Sequence, residues 1–504
     1  MAEEPEVIGM STRCQVSRSA GSPPADRVSG RSRAVLVTVA AAQLMVVLDG
    51  SIVNIALPAI QETLRMSDAS RQWVVTAYGL AFGGLLLLGG RLSDIMGRRR
   101  AFLMGTLGFS AASALAGAAG DMTVLLLARC AQGAFAALLA PSVLAILTTT
   151  FPSGRSRTTA FGVFSAVAVA GGAVGLLLGG ALTQWFSWRW TMFLNVPIAC
   201  VILLAAVRVL PRRRAESPAG RVDVLGAVLV TLGASMLIYT FTCAESAGWA
   251  SWRTLLVALT SLIALVSFVL RETRVENPLL PLSLVTDTRR AGALVSVMFA
   301  IMAMFGQFLV MTYYLQLVLG YSPMAAGLAF LPLTLSLAVG STQIGTRLLI
   351  RFTARRVMVG GYLTAAAGFM SLVTLDGHST YWHLLPGMIA AGIGAGTAGI
   401  AANSSSTSGV PQRDAGVASA LLNSAQQLGG AVGTALLSSI ATMSMTSAGQ
   451  GVSDADTAGY PRAFAAAGVL MLMSAICSHL FVKDSSHGLV DSMMAADGSS
   501  TSDS

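Results

Sequence analysis

The sequence predicts an all-α integral membrane protein in which 14 transmembrane helices form two six-helix halves plus a two-helix central insertion. Composition is the first ground. Of 504 residues 54% are hydrophobic and only 11% charged, with a mean hydropathy of +0.71, which excludes an ordinary soluble domain. The second is a series of apolar runs long enough to span a bilayer, each needing ~20 residues. The third is internal repetition. Gly90-Arg91-Leu92-Ser93-Asp94-Ile95-Met96-Gly97-Arg98-Arg99 has an equivalent 256 residues later in Arg347-Leu348-Leu349-Ile350-Arg351-Phe352-Thr353-Ala354-Arg355-Arg356. Gly171-Gly172-Ala173-Val174-Gly175 returns as Gly429-Gly430-Ala431-Val432-Gly433 at a spacing of 258. Two unlike segments recurring at nearly one spacing indicate a duplicated half. Two related halves around a cleft suit alternating access, because each can rock against the other.

Taken in order, residues 1–33 are polar, with Pro23-Pro24 and scattered Ser and Arg, and read as a disordered cytoplasmic tail. A cleavable signal peptide is not expected there, since the first apolar run is long enough to stay in the membrane. The N-terminal half, 34–208, holds helices at about 34–57, 71–90, 101–120, 122–149, 158–183 and 189–208. Residues 209–290 form the inserted hairpin, with helices at about 222–244 and 252–270 set between the charged loops Arg212-Arg213-Arg214 and Arg271-Glu272-Thr273-Arg274. The C-terminal half, 291–482, holds helices at about 291–319, 324–346, 356–375, 383–403, 414–442 and 460–482, and 483–504 is a second polar tail.

Charge tests the parity of this count. With both termini in the cytoplasm, 26 of the 32 Arg and Lys fall on the cytoplasmic side and 5 on the other (Arg65, Arg71, Arg189, Arg253, Arg462). Arg129 alone falls inside a helix. A missed helix in mid-chain would mix the two columns, so the separation supports number and orientation together. The net charge of +9 then reports topology and contact with an anionic inner leaflet. It is no nucleic-acid signal, because the arginines are split among short loops.

Other classes find little support. Cys14, Cys130, Cys200, Cys243 and Cys477 are scattered, without a disulfide framework or CxxC pair. His378, His383, His479 and His487 form no HExxH motif, so no metal is expected. There is no GxxxxGK[ST] loop for a nucleotide. Lys483 is the only lysine while Arg and Ala abound, which reads as the codon bias of a GC-rich genome and hence a bacterium.

The basic loop after helix 2 combines Gly for a tight turn, Asp and a run of arginines. It resembles the helix 2 to helix 3 loop of the major facilitator superfamily, G-x-L-x-D-R-x-G-R-R, matched at Gly90, Leu92, Asp94, Gly97, Arg98 and Arg99, with Ile95 where a basic residue is usual. Asp94 can pair with a helix terminus or an Arg of the other half and latch one conformational state. The alternative is a charged loop that only sets topology. In the second copy Asp94 and Gly97 are replaced by Ile350 and Thr353.

Helix 1 contains Leu48-Asp49-Gly50-Ser51-Ile52-Val53-Asn54-Ile55-Ala56-Leu57-Pro58. A carboxylate near the middle of a spanning helix is a functional candidate by default, and a buried carboxyl can load and release a proton as its surroundings change. The stretch is similar to L-D-x-T-I-V-N-V-A-L-P of the fourteen-helix drug:proton antiporters, with Ser51 for Thr and Ile55 for Val. The alternative is an acid facing a water-filled crevice without a coupling role. Helix 4 contains Arg129-Cys130-Ala131-Gln132-Gly133, which resembles R-x-x-Q-G of the same superfamily. Counted at ~1.5 Å per residue from the outer helix ends, Asp49 and Arg129 lie at similar depths. Arg129 is therefore expected to control how readily Asp49 takes a proton, directly or through Gln132 or water. A snorkelling Arg129 is the alternative.

Helix 5 carries Gly162, Gly171, Gly175, Gly179 and Gly180. Close helix packing would explain them; they are also similar to the antiporter motif G-x8-G-x3-G-P-x2-G-G, with Leu176 in place of Pro. Helix 6 opens on Ser187-Trp188-Arg189-Trp190-Thr191-Met192-Phe193-Leu194-Asn195-Val196-Pro197, which resembles the W-R-W-x-F-x-x-N-x-P element of the fourteen-helix branch. Alone, Trp and Arg there are ordinary interfacial anchors. Helix 9 offers Met304, Gln307, Phe308, Met311 and Tyr314, and helix 13 Asn423 and Gln426, as a substrate cavity of adaptable apolar and amide groups. Packing or lipid contact is the competing explanation.

The resemblance implies the major facilitator fold and a proton-coupled antiporter, without cofactor, that exports amphipathic drugs or antibiotics. It is expected in the bacterial inner membrane as a multi-pass monomer, with a small drug-like molecule, protons and the lipid bilayer as partners and no nucleic acid. An importer or metabolite exporter of the same fold stays open, and so does a membrane-embedded enzyme or non-transporting sensor.

Overall fold

A computed structural model describes residues 30–151, 154–211, 223–275, 287–376, 379–407, 415–446 and 459–482. Most of the two predicted tails, the Arg212-Arg213-Arg214 loop and the side chain of Asp94 lie outside the described part. Among the described residues there is no strand. The helices in order are α1 (Gly30–Thr63), α2 (Trp73–Met96), α3 (Arg98–Gly117), α4 (Met122–Thr150), α5 (Gly154–Trp185) and α6 (Trp188–Phe193 with Asn195–Val209). Then come α7 (Val224–Ala247), α8 (Trp252–Glu272) and α9 (Thr288–Tyr313, closing in a π turn at Tyr314–Val318). The last are α10 (Pro323–Ala329, Leu331–Val339, a π turn at Gly340–Gly345, and Thr346–Arg351), α11 (Ala354–Ser371), α12 (Tyr381–Thr407), α13 (Ala415–Thr446) and α14 (Gly459–Phe481).

Ten of the described helices are long and apolar enough to cross a membrane; α2 and α7 carry shorter apolar stretches, Trp73–Leu86 and Leu225–Phe241. Helix α3 is more polar because its Gly105, Thr106, Ser110 and Ser113 are buried against neighbours rather than facing lipid. The termini carry ordinary stop and start chemistry. Asp121 Oδ1 accepts from Val124 N at 3.0 Å to cap α4, Asp223 Oδ1 caps α7 through Gly226 N at 2.9 Å, and Ser322 precedes Pro323 at the start of α10.

The predicted ten-residue loop between helices 2 and 3 contracts to one residue. Helix α2 runs on past Gly90 to Met96, and the turn is made by Gly97 at φ 89°, a backbone region that only glycine occupies cheaply. Arg91, Leu92 and Ser93 are good enough helix formers to continue beyond the apolar run, so the helix outlasts its hydrophobic stretch.

Helices α1 to α6 pack mainly among themselves, with α4 against α2 and α3, α1 against α5 and α6. Helices α9 to α14 form a second group, with α9 against α13 and α14, α11 against α12 and α14, α10 against α12. Two crossed pairs join the groups, α2 with α13 and α5 with α10. Glycines permit both. A Cβ on Gly180 of α5 would lie 2.6 Å from Pro323 O, one on Gly327 of α10 would lie 2.6 Å from Leu176 O, and one on Gly83 of α2 would lie 3.0 Å from Gln427 Cβ. The α5–α10 contact sits at the end of the bundle away from the Gly97 turn, here called the far end. The α7–α8 pair lies outside both groups and bridges them, touching α2 and α13. Thr231 Oγ1 donates to Gly84 O at 3.0 Å, Ser261 Oγ to Gly233 O at 2.8 Å, and Arg271 Nε pairs with Asp223 Oδ1 at 2.7 Å.

Candidate functional site

Within the first group, α1, α3, α4 and α6 converge on one carboxylate. Asp49 is wholly buried, and Arg129 of α4 is 1% exposed. Arg129 Nη1 donates to Asp49 Oδ2 at 2.6 Å, short enough for a charge-assisted bond. Its Nε donates to Val74 O in the first turn of α2 at 2.9 Å, Nη1 also reaches Gln132 Oε1 at 3.1 Å, and the guanidinium lies 4.5 Å from the Tyr78 ring centre. Arg129 therefore turns inward and does not reach the membrane surface.

The second carboxylate oxygen is held by amides. Asp49 Oδ1 accepts from Gln132 Nε2 at 3.1 Å and from Asn195 Nδ2 at 2.7 Å. Both amides also donate to Ser113 Oγ of α3, at 2.7 and 2.8 Å. An isolated buried charge would be costly, so a carboxylate held by one cation and two amide donors is a satisfied but strongly coupled group. Adding a proton to Asp49 removes the charge that holds Arg129, and the surrounding donors must then reorganise.

Ser113, Asn195 and Val74 were not singled out by the sequence. Asn195 stands inside the quoted Trp188-Arg189-Trp190 element, and an amide within an apolar run was the signal available. The rest of that element is structural: Trp188 is buried, and Arg189 Nη1 donates to Ala119 O at 2.7 Å near the end of α3. Asn195→Ala removes two buried hydrogen bonds, one of them to a charged group and worth about 1.5–3 kcal/mol. The expected result is a lower thermal midpoint of the purified protein, with folding retained.

The other predicted residues separate. Gly171, Gly175 and Gly179 face α1: added Cβ atoms would meet Leu44 Cδ1 at 2.9 Å, Ser51 Oγ, and Ile52 O at 2.8 Å respectively. Gly180 faces α10, and Gly162 faces open space. Leu176 sits in an uninterrupted helix, buried against α10. Gly90 lies inside α2 with Pro141 beyond it. Arg98 Nη1 donates to Ala145 O at 3.4 Å and Arg99 Nη2 to Val207 O at 3.1 Å, both within the first group.

On α9, Phe308 stacks on Phe330 at 5.2 Å. Met304, Gln307, Met311 and Tyr314 are buried; Tyr314 Oη donates to Asp376 O at 2.8 Å and packs edge-on against Tyr460. Asn423 and Gln426 are half-buried. No cluster of His, Cys, Asp and Glu able to hold a metal exists among the described residues.

A family model, described as the Major Facilitator Superfamily, matches residues 39–434. The chain belongs to the major facilitator superfamily. It is thus a membrane transporter rather than an enzyme. It is 47% identical to the "Puromycin resistance protein pur8" of Streptomyces alboniger, over 89% of this chain and 90% of that one. It is 38% identical to the "Cephamycin export protein CmcT" of Amycolatopsis lactamdurans, over 90% and 94%. Its fold is similar to that of a bacterial homologue of the human lysosomal transporter Spinster, solved inward-facing and unoccupied, with TM-score 0.62 and 18% identity over 90% and 97% of the two chains.

Proposed function

We propose that this superfamily member is a proton-coupled antiporter that exports amphipathic antibiotics across the bacterial inner membrane. Its two halves are 34–208 and 291–482, 209–290 holds the inserted hairpin, and fourteen helices span the bilayer with both termini in the cytoplasm. The far end of the bundle is then the outer side, closed by α5 against α10, and the chain is inward-facing. The observation that carries the reading is the buried Asp49–Arg129 pair at 2.6 Å, an ionisable group deep in a spanning helix, where charge is costly and a functional role is the default. The names of the resistance and export relatives support the substrate class.

In this reading Asp49 is ionised while drug enters from the cytoplasm, among Phe308, Asn423, Gln426 and neighbouring apolar groups. The halves rock, a proton from outside neutralises Asp49 and drug is released outward. The return step carries the proton in. Arg129, Gln132, Asn195 and Ser113 hold the carboxylate in one place and exchange partners as its charge changes. Asp94, Gly97, Arg98 and Arg99 form the cytoplasmic latch, in which the arginines hold the α4 and α6 carbonyls while the cytoplasmic side is open.

The test is direction and driving force. In everted vesicles bearing the chain, puromycin, the compound in the name of the 47%-identical relative, is expected to accumulate when the lumen is acid and to leak out once a protonophore is added. Accumulation that persists with the protonophore, or uptake only in right-side-out vesicles, contradicts the reading.

A further inference from the structure

Beyond the proton site, one buried cation at the far end is left without a role. Arg71 lies just before α2, is 6% exposed, and its guanidinium sits 3.9 Å from the ring centre of Tyr313 on α9, itself 1% exposed. This stack joins the two groups of helices. Tyr313 Oη also donates to Gln61 Oε1 of α1 at 2.8 Å, and one turn on, Gln316 Nε2 donates to Ile55 O at 3.0 Å. A cation over a ring gains strength when both are desolvated, and a stack of this kind is directional where glycine packing at α5–α10 is not.

The same stretch of chain is held from the other side. Val74 O, three residues after Arg71, accepts Arg129 Nε, and Arg129 holds Asp49. Contacts thus run from Asp49 through Arg129 and the first turn of α2 to Arg71 and Tyr313. Among the described residues, the charged and titratable groups facing Asp49 are Arg129 of α4 and, through Arg129, Tyr78 of α2; α3, α4 and α6 add the uncharged Ser113, Gln132 and Asn195, and α5 meets α1 through the glycines Gly171, Gly175 and Gly179.

We propose that Arg71 and Tyr313 form the outer lock of the transporter, and that Arg129, shared between Asp49 and the Val74 carbonyl, transmits the charge of Asp49 to that lock. With the outer end closed, Arg129 serves both at once, Asp49 through Nη1 and Val74 O through Nε. Once Asp49 is protonated, the guanidinium is left to Val74 O and the Tyr78 ring, which holds the start of α2, and Arg71 with it, in the closed position. The sign agrees with antiport: a protonated site favours closure outside and release of the proton inside. This inference rests on the proton-coupled reading above.

The experiment measures the outer end directly. Spin labels on cysteines introduced at Glu62 and Leu317, both exposed, in full-length protein with its native cysteines changed to alanine, report the fraction of open molecules in liposomes between pH 5 and 9. The parent protein is expected to close as pH falls. Arg71→Gln and Tyr313→Leu are expected to raise the open fraction at pH 8 at least threefold, whereas Tyr313→Phe, which keeps the ring, stays within twofold. Asp49→Asn is expected to lose the pH response with the lock closed. Parental behaviour in both Arg71→Gln and Tyr313→Leu overturns the lock and leaves proton coupling standing. A parent without pH response, or an Asp49→Asn variant that keeps it, overturns the link to Asp49 and the coupling reading with it.

Discussion

Asp49→Asn is expected to stop energy-dependent efflux while the protein stays folded in the membrane. Asparagine has nearly the same shape, and its Oδ1 still accepts from Asn195 and Gln132, which hold that oxygen at 2.7 and 3.1 Å. Arg129 loses its counter-charge. Breaking a buried pair typically costs about 3–5 kcal/mol, but here Val74 O, Gln132 Oε1 and the Tyr78 ring remain as partners, which places the loss toward the lower end. Function has no such reserve, because no other described acid lies inside a first-group helix at that depth. Cells carrying the variant are expected to accumulate puromycin like cells without the chain, at least tenfold less protected than with the parent. Membrane levels of the protein are expected to match.

The second large effect concerns closure of the outer end. Gly180→Leu puts a side chain where a Cβ alone would already lie 2.6 Å from Pro323 O and 2.7 Å from Met324 Cα. Both are backbone atoms that cannot rotate away, so α5 and α10 must separate. Nothing within the first group opposes this, since Gly180 points at α10 while Gly171, Gly175 and Gly179 point at α1. The variant is expected to rest with the outer end open and to transport at least tenfold more slowly. Gly162→Leu, a substitution into open space, is expected to transport within twofold of the parent. Initial rates of puromycin efflux for the pair check this; equal rates for both variants would show that the α5–α10 approach has no part in the cycle.

What the sequence made legible follows from cost. A carboxylate and a guanidinium inside apolar runs are expensive enough to stand out, and counting residues from the helix ends put Asp49 and Arg129 at one depth; the structure has them in contact. Ser113 left no such mark, because a hydroxyl in a spanning helix can return its hydrogen bond to its own backbone and costs little. Val74 contributes a carbonyl, which no residue type signals. Asn195 was visible but read as part of an interfacial element. The glycines of helix 5 were legible as small residues, yet which partner each one faces depends on helix rotation and crossing, so Gly180 separated from Gly175 only in three dimensions. Charge ends the apolar run at Arg91 and so predicts a loop from there to Met96, whereas the helix ends only where Gly97 allows the turn. Met311 and Tyr314 fit cavity lining, packing or lipid contact alike in the sequence, because a stripe at helical spacing does not say what it faces; both are fully buried, Tyr314 against Tyr460. In the sequence Arg71 bears only on topology, because its ring partner Tyr313 lies 242 positions away.

Exchange of a proton against drug at one carboxyl is tested most directly by proton release on drug binding. Purified protein in weakly buffered detergent solution with a pH-sensitive dye, titrated with puromycin, is expected to release up to one proton per chain, with the yield varying with starting pH. Asp49→Asn is expected to bind the compound and release none. Equal proton release from parent and Asp49→Asn would contradict the central claim.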